Sequence, residues 1–79
     1  MQLRISGGDI MKNSLTLAIR LKELRIKGNL TQHQVADKIN VSRSSYSQYE
    51  LGLKQPSIDT LLMLAELYST SVDYLIGRY

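Results

Sequence analysis

The sequence of 79 residues contains no cysteine and only one histidine, His33. Without cysteine there are no disulfides, no thiolate zinc site and no cysteine nucleophile. A single histidine leaves too few ligands for a protein-bound metal and no histidine pair for acid–base work, so we expect neither a metal nor another cofactor. No apolar run approaches the roughly 20 residues of a membrane span. The sequence therefore predicts neither a metalloenzyme nor an integral membrane protein.

Size and composition point away from catalysis of any kind. Hydrophobic residues make up 43% of the chain and charged residues 22%, the balance of a soluble globular domain. A domain this small buries only about 60% of its unfolded surface, which leaves little room for an enclosed active site. No carboxylate pair, glycine-rich phosphate loop or Ser/His/Asp set occurs at workable spacing. We therefore predict that the protein is not an enzyme.

The charge is modest in total but unevenly distributed. The formal net charge is +3. The segment from Arg20 to Lys54 contains seven basic and three acidic residues, whereas the segment from Gln55 to Tyr79 contains one basic and three acidic residues. A basic half on a small domain favours a polyanionic partner, usually a nucleic acid. The alternative is an ordinary surface with uneven charge, and charge alone does not decide between them.

The first 14 residues differ from the rest of the chain. They show no sustained period and end in Asn13 and Ser14, which suit a helix cap. We predict a poorly ordered N-terminal extension over residues 1–14 and one domain over residues 15–79. A basic arm that follows a DNA backbone is the competing interpretation, and Met11 could be an alternative start.

From Leu15 onward, apolar residues recur at helical spacing in five short runs. The inward-facing residues of these runs are Leu17, Leu21 and Leu24; Val35, Ala36 and Ile39; Tyr46 and Tyr49; Leu61, Leu64, Ala65 and Tyr68; and Val72, Leu75 and Ile76. The expected N-caps are Thr31, with Gln34 completing a capping box, Ser42, Ser57 and Ser71. The expected ends are Gly28-Asn29, Asn40, Gly52 and Gly77. With no credible strand, this pattern predicts an all-α fold of five helices.

The second and third helices are separated by only about three residues around Asn40. So tight a turn makes the helices cross steeply, and only a small residue such as Ala36 fits at their closest approach. Asn40 stands where the chain needs a positive φ, which asparagine tolerates better than any residue except glycine. These positions indicate a helix-turn-helix.

Three segments within residues 15–77 resemble the Cro/C1-type (lambda-repressor-like, XRE-family) DNA-binding domain of phage and bacterial regulators. They are LKELRIKGNLTQ, VADKINVSRSSYSQYELG and PSIDTLLMLAELYSTSVDYLIG. The resemblance implies a five-helix lambda-repressor-like fold and a sequence-specific transcriptional regulator of double-stranded DNA. It further implies a repressor, cytoplasmic and associated with the nucleoid, that binds a palindromic operator as a homodimer.

In this family the third helix lies in the major groove. By resemblance, the base contacts are Ser42, Arg43, Ser44, Ser47 and Gln48, and the backbone contacts are Gln32, Ser45, Tyr49, Lys54 and Gln55. Arg43 suits guanine O6 and N7, and Gln48 suits adenine N6 and N7. The resemblance also implies an ion pair between Arg25 and Glu50 that ties the first helix to the end of the third.

Three positions depart from the family pattern. Leu51 stands where the family often has a polar or basic residue, and it could touch sugar or a thymine methyl group or pack on the domain. Asn40 replaces the usual glycine at the turn, and Tyr46 replaces a residue that is usually aliphatic.

Apolar residues beyond those needed for the core are candidates for self-association: Met63, Leu67, Tyr74 and Tyr79, with Ile26 on another side. Together with Leu51 and Leu53 they also support a different function, a protein-interaction module. Such a module would be an antitoxin or an anti-repressor partner that retains the fold.

Overall fold

A computed structural model describes residues 7–78 of the chain, with side chains from Leu15 to Arg78. All regular secondary structure in this part of the chain is helical and it has no strand, so the predicted fold class is confirmed. Its helices are α1 (Gly7–Lys27), α2 (Gln32–Lys38), α3 (Arg43–Leu51), α4 (Ile58–Leu67) and α5 (Val72–Ile76). Over the same residues, no helix is both long enough and apolar enough to span a bilayer.

The first helix begins earlier than the sequence predicts. Asn13 and Ser14 lie inside α1 instead of capping it, so that prediction is wrong. The reason is energetic, because asparagine and serine cost only a few tenths of a kcal/mol in a helix interior and neighbouring helix formers offset the cost. Residues 1–6 of the predicted extension lie outside the described residues, and the domain boundary at residue 15 stays a prediction.

The end of α1 is set by Asn29. Gly28 still donates its N–H to the carbonyl of Leu24 at 2.9 Å, as a helical residue does. Asn29 has the left-handed φ of 62°, and Leu30 then donates to the carbonyl of Arg25 at 3.1 Å. The predicted stop lies at this pair, and asparagine takes the strained position.

The four other predicted N-caps are confirmed. Thr31 Oγ1 accepts from the Gln34 N–H at 3.1 Å, and Gln34 Oε1 accepts from the Thr31 N–H at 2.9 Å, which completes the capping box. The N-cap serines, which accept from the N–H three residues on, are Ser42, Ser57 and Ser71. Each such cap contributes about 1 kcal/mol, so these short helices begin where the sequence places their caps.

The helices enclose one apolar core to which every helix contributes. Its buried members are Leu17, Leu21, Val35, Ala36, Ile39, Tyr46, Tyr49, Leu64, Ala65 and Leu75. Ala36 is 1% exposed, and Asn40 has a φ of 59° in the turn that follows. The α2–turn–α3 unit is thus the helix-turn-helix that the sequence predicts, with α3 wedged against α1 and α2.

The last helix is fastened to α1 by an arginine. The guanidinium of Arg20 lies 4.2 Å from the centroid of the Tyr74 ring and donates to the Tyr74 carbonyl oxygen. At the end of α5, Gly77 has a φ of 80°, and a Cβ there would come within 3.0 Å of Thr16 Cγ2. Glycine therefore permits the close approach of the end of α5 to α1. The contacts of Arg20 with Tyr74 give this arginine a structural role.

Candidate nucleic-acid interface

The polar face of α3 is the surface on which most of the predicted base contacts lie. Arg43, Ser44, Ser47 and Gln48 recur at helical spacing, opposite the two tyrosines that enter the core. Arg43 and Ser44 in the first turn are exposed, and Ser47 and Gln48 in the next turn are partly exposed. The structure thus brings these four residues together on one accessible face.

The start of α3 is fixed by Ser42. Its Oγ accepts from the Ser45 N–H at 3.0 Å, which satisfies one of the free donors at the helix start. A hydroxyl that accepts in this way can still donate its proton to another acceptor. Arg43 follows as the first residue of the helix, so its side chain starts from a backbone that the cap holds in place.

Beyond α3 the chain folds back toward the same face. Gly52 takes the left-handed φ of 74°, and the Leu53 N–H donates to the Gln48 carbonyl at 3.0 Å. This reversal places Lys54 Nζ 3.2 Å from Ser45 Oγ. Two predicted backbone contacts from different elements therefore lie side by side, and Gln55 is exposed next to them.

Arg25 and Glu50 lie together as an almost fully enclosed ion pair. Arg25 Nε donates to Glu50 Oε2 at 2.7 Å, and Nη2 donates to Oε1 at 3.1 Å, so the contact is bidentate. The side chain of Glu50 is only 4% exposed and that of Arg25 only 15%. The pair joins α1 to the last turn of α3, as the resemblance implies.

The ionisation of this pair follows from its surroundings. Burial by itself raises the pKa of Glu50, but hydrogen bonds from Arg25, Tyr46 and Gln32, with the charge of Arg25, outweigh burial and hold that pKa below its ordinary value. The hydrogen bond to Glu50 raises the pKa of Arg25 despite its burial. Glu50 is therefore a carboxylate, and it can only accept hydrogen bonds.

Gln32 has a partner that sequence reasoning missed. Its Nε2 donates to Glu50 Oε1 at 3.1 Å, which links the first residue of α2 to α3. Arg25 Nη1 also donates to the carbonyl of Leu30 at 3.0 Å, just before α2. No local pattern predicts either contact, because both join side chains and backbone of different elements.

Two tyrosines extend the group around Glu50. Tyr46 is fully buried, and its hydroxyl lies 3.4 Å from the hydroxyl of Tyr68, the residue that ends α4. Burial, followed by the hydrogen bond to Glu50, raises the pKa of Tyr46 far above its ordinary value. The only signal in the sequence was the tyrosine at a position that is usually aliphatic. We call Arg25, Gln32, Glu50, Tyr46 and Tyr68 the polar joint.

Other residues singled out in the sequence lie as follows. Tyr49 is 5% exposed and packs edge-on against Tyr46, with ring centroids 6.2 Å apart. Its phosphate contact therefore depends on the small exposed fraction and stays a prediction. Leu51 and Leu53 are 63% and 75% exposed, so neither packs on the domain. His33 Nε2 lies 3.4 Å from Asp37 Oδ2 on an exposed turn of α2.

The candidates for self-association divide into two groups. Met63 and Ile26 are 39% and 57% exposed. Leu67 and Tyr74, by contrast, pack against the core. The prediction that they are surplus to the core is therefore wrong, because a helical pattern does not reveal partial burial. Tyr79 lies outside the described residues.

An open depression of about 560 Å³ lies between the starts of α2 and α3. It is lined by Arg25, Leu30, Thr31, Gln32, His33 and Arg43. Because the Arg25 guanidinium is paired with Glu50, Arg43 and the Gln32 amide are the donors on this concave surface that suit an anion. The part of the chain that the structure describes has no group of three or more acidic or histidine side chains that could hold a metal ion.

The sequence of this chain is similar to those of known proteins. A family model described as "Helix-turn-helix" matches residues 21–75. The chain is 44% identical over 64 residues to the HTH-type transcriptional regulator ImmR of Bacillus subtilis (strain 168), covering 81% of this chain and 50% of that protein. It is 40% identical over 60 residues to the cryptic phage CTXphi transcriptional repressor RstR of Vibrio cholerae serotype O1, covering 76% of this chain and 54% of that one.

A third relative is named as an activator of transcription. The chain is 35% identical over 58 residues to the HTH-type transcriptional activator BcrR of Enterococcus faecalis, covering 73% of this chain and 28% of that protein. The chain thus spans about half the length of the first two relatives and less of the third. With the matched region covering the last third of α1, all of α2 through α4 and most of α5, the chain belongs to the Cro/C1-type helix-turn-helix family of transcriptional regulators.

Proposed function

We propose that this chain is a sequence-specific double-stranded DNA-binding domain of a transcriptional regulator, with α3 in the major groove. The observation that carries the proposal is the polar outer face of α3, which the Ser42 cap and the polar joint hold in place. The family to which the chain belongs is a helix-turn-helix family. The first turn of such a helix reads base edges. The family supports DNA as the partner, and the surface chemistry of α3 agrees with it.

Arg43 and Gln48 supply the discrimination between bases. The guanidinium fork of Arg43 matches guanine O6 and N7, and the amide of Gln48 matches adenine N6 and N7. Both side chains lie on the accessible face of α3. The hydroxyls of Ser42, Ser44 and Ser47 are small enough to let the helix approach either strand closely.

The backbone contacts come from the two edges of this face. Lys54 and Ser45 form one group, with Nζ and Oγ 3.2 Å apart, and exposed Gln55 follows them. Gln32 lies on the other side, beside the depression at the start of α2. Contacts of this kind set the register of the protein on the duplex, whereas α3 supplies the sequence preference.

We propose repression by occlusion of a promoter. Among the relatives, RstR is named a repressor and BcrR an activator, and RstR has the higher identity and the larger share of its own length covered. Action on DNA also places the protein in the cytoplasm, at the nucleoid.

We propose that the regulator binds a palindrome as a homodimer, because one small domain contacts few base pairs. The surface that we assign to the second copy starts at the end of α3 and continues on α4. Its exposed apolar side chains are Leu51, Leu53, Ile58 and Leu62, each at least 55% exposed. Because Leu51 ends α3 and Leu53 directly precedes Lys54, contact here would couple the spacing of two reading helices to dimerisation.

The dimer surface is tested by Leu62→Lys, with Ile19→Lys on α1 as a control of equal charge and similar exposure. We expect Leu62→Lys to lose cooperative binding to a palindrome while half-site binding is kept, and Ile19→Lys to behave as the wild type. Cooperative binding that survives in Leu62→Lys would rule this surface out as the contact between the two copies.

Selection of random duplex DNA by the purified protein, at low and at moderate salt, tests the function itself. Enrichment of a palindrome with half-site centres about 34–36 Å apart is the expected result. Binding that is unselective and vanishes at moderate salt would leave only the electrostatic component. That result would favour the second function, a protein-interaction module such as an antitoxin or anti-repressor partner, for which exposed Leu51 and Leu53 are the supporting observation.

A further inference from the structure

The depression between α2 and α3 contains one side chain whose charge can change near neutral pH. Its polar lining comes from three helices and includes Arg25 of α1, Gln32 and His33 of α2, and Arg43 of α3. His33 is the only histidine of the chain, and histidine is the side chain that ordinarily titrates between pH 5 and 8. The charge of this surface in that range therefore depends on His33.

The other charged groups around the depression cancel in number. Arg25 is paired with Glu50 at 2.7 Å. The positive charge of exposed Arg43 is matched by the negative charge of Asp37, which lies next to His33. While His33 is neutral, this set has no net charge, and protonation of His33 leaves it with one positive charge. An anion that enters the depression is therefore held more strongly once His33 has taken up a proton.

Asp37 orients the imidazole ring. His33 Nε2 lies 3.4 Å from Asp37 Oδ2, one turn further along α2, and both side chains are 70% exposed. A carboxylate only accepts hydrogen bonds, so the neutral ring carries its proton on Nε2 and has a lone pair on Nδ1. Phosphate oxygens accept as well. Only the protonated ring, which has a second N–H at Nδ1, can donate to a phosphate while Nε2 faces Asp37.

We propose that protonated His33 contacts a phosphate of the operator next to the one bound by Gln32, so that DNA binding takes up a proton. The inference rests on the proposed function, adds a residue to the binding surface and makes the affinity depend on pH. Because the proton and the DNA each favour the binding of the other, affinity rises as the pH falls. Glu50 does not contribute above pH 5, because its pKa is held below its ordinary value.

Binding to the selected operator at pH 5.5 and at pH 8, over a range of salt concentrations, tests the proposal. We expect the wild type to bind roughly three- to tenfold more tightly at pH 5.5, with a salt slope about one unit steeper, because one more phosphate charge is neutralised. His33→Gln cannot take up the proton, so its affinity and salt slope should be the same at both pH values.

Two lysine variants separate charge at this site from charge in general. His33→Lys is positive throughout this range, so its affinity should exceed that of His33→Gln and should not depend on pH. Ile19→Lys adds the same charge at an exposed residue that does not line the depression. This control should keep the pH dependence of the wild type.

Calorimetric titration in two buffers of different ionisation enthalpy counts the protons that binding takes up. Near pH 6.5 the wild type should take up a fraction of one proton for each chain bound, and His33→Gln should take up none. Binding without proton uptake in the wild type, or unchanged uptake in His33→Gln, overturns the proposal.

A duplex of random sequence at low salt keeps this inference distinct from the proposed function, because phosphate contacts do not depend on sequence. If the protein selects no operator but binds this duplex with a pH dependence that His33→Gln removes, the phosphate contact stands and the sequence-specific function fails. If the protein selects an operator that His33→Gln binds with the pH dependence of the wild type, the function stands and this inference fails. Absence of duplex binding at both pH values contradicts both.

Discussion

Replacement of Arg25 by methionine removes the guanidinium from the polar joint and keeps most of the aliphatic stem. Among the described residues, Glu50, whose side chain is 4% exposed, then keeps the Gln32 amide as its side-chain donor. Removing one partner of a buried ion pair strands the other charge away from water. We expect Arg25→Met to lower the free energy of unfolding at pH 7 by about 3 kcal/mol.

The size of this loss follows from burial. An exposed ion pair is worth about 0.2–1 kcal/mol, because water screens both charges. Here two hydrogen bonds to a charged group disappear, at about 1.5–3 kcal/mol each, and water that reaches the vacated space returns part of that energy. A chain of this length has a total stability of about 4–12 kcal/mol. The variant should therefore lose a large share of its stability.

The pH dependence gives the prediction a second readout. In the wild type the folded pKa of Glu50 lies below that of the unfolded chain, so its stabilising contribution is present above about pH 4.3 and is lost as the pH falls through the folded pKa. In Arg25→Met, the hydrogen bonds and the positive charge of Arg25 no longer oppose the effect of burial on Glu50. The pKa of Glu50 in the folded variant therefore rises above its value in the unfolded chain. Acid should then relieve the buried charge, and the loss caused by Arg25→Met should shrink between pH 6 and pH 4.

Urea unfolding followed by circular dichroism at both pH values measures the effect. Asp37→Asn is the control, because the His33–Asp37 pair is 70% exposed on both sides and its loss should have little effect. Arg25→Met combined with Glu50→Gln removes the stranded charge and should recover about 1–2 kcal/mol of the loss. A loss below about 1 kcal/mol at pH 7, or one that grows toward pH 4, would refute the reasoning.

Three further substitutions test the DNA interface and the backbone. Arg43→Ala should weaken binding to the selected operator by about 1–3 kcal/mol and relax one base position; unchanged affinity and preference in repeated selection would remove Arg43 from the reading set. Lys54→Ala should weaken binding to all duplexes alike and reduce the salt slope by roughly one unit, and an unchanged slope in a salt titration would argue against a phosphate contact. Ser69→Gly should raise the free energy of unfolding by about 0.5 kcal/mol, because Ser69 has a φ of 52° that glycine adopts without strain; equal or lower stability in urea would contradict this.

The parts of the fold that sequence predicts well are those with local causes. Thr31 and Ser57 begin their helices because a side-chain oxygen reaches an N–H three residues on, and the sequence contains both partners. Asn40 takes a positive φ for an equally local reason. The start of α1 was predicted wrongly because Asn13 and Ser14 are cap residues by preference but are also tolerated inside a helix.

From spacing alone, the candidate site was predictable only where it lies on one helix, and the Arg25–Glu50 pair between helices was implied by the family resemblance instead. The spacing of Arg43, Ser47 and Gln48 places them on one face of α3 without further information. The contact of Gln32 with Glu50 spans 18 residues, and that of Tyr46 with Tyr68 spans 22. Such contacts depend on how helices cross, and neither periodicity nor propensity carries that information.

The attachment of α5 has a consequence for how the domain opens. The polar joint holds α1, α2, α3 and the end of α4, but α5 has five residues and is fastened through Leu75 and Arg20. Elements with few buried contacts open at lower free energy than the body to which they belong. The amide hydrogens at the end of α5 should therefore exchange with solvent through local detachment of that helix. Those of the α1–α3 body should exchange only when the whole domain unfolds.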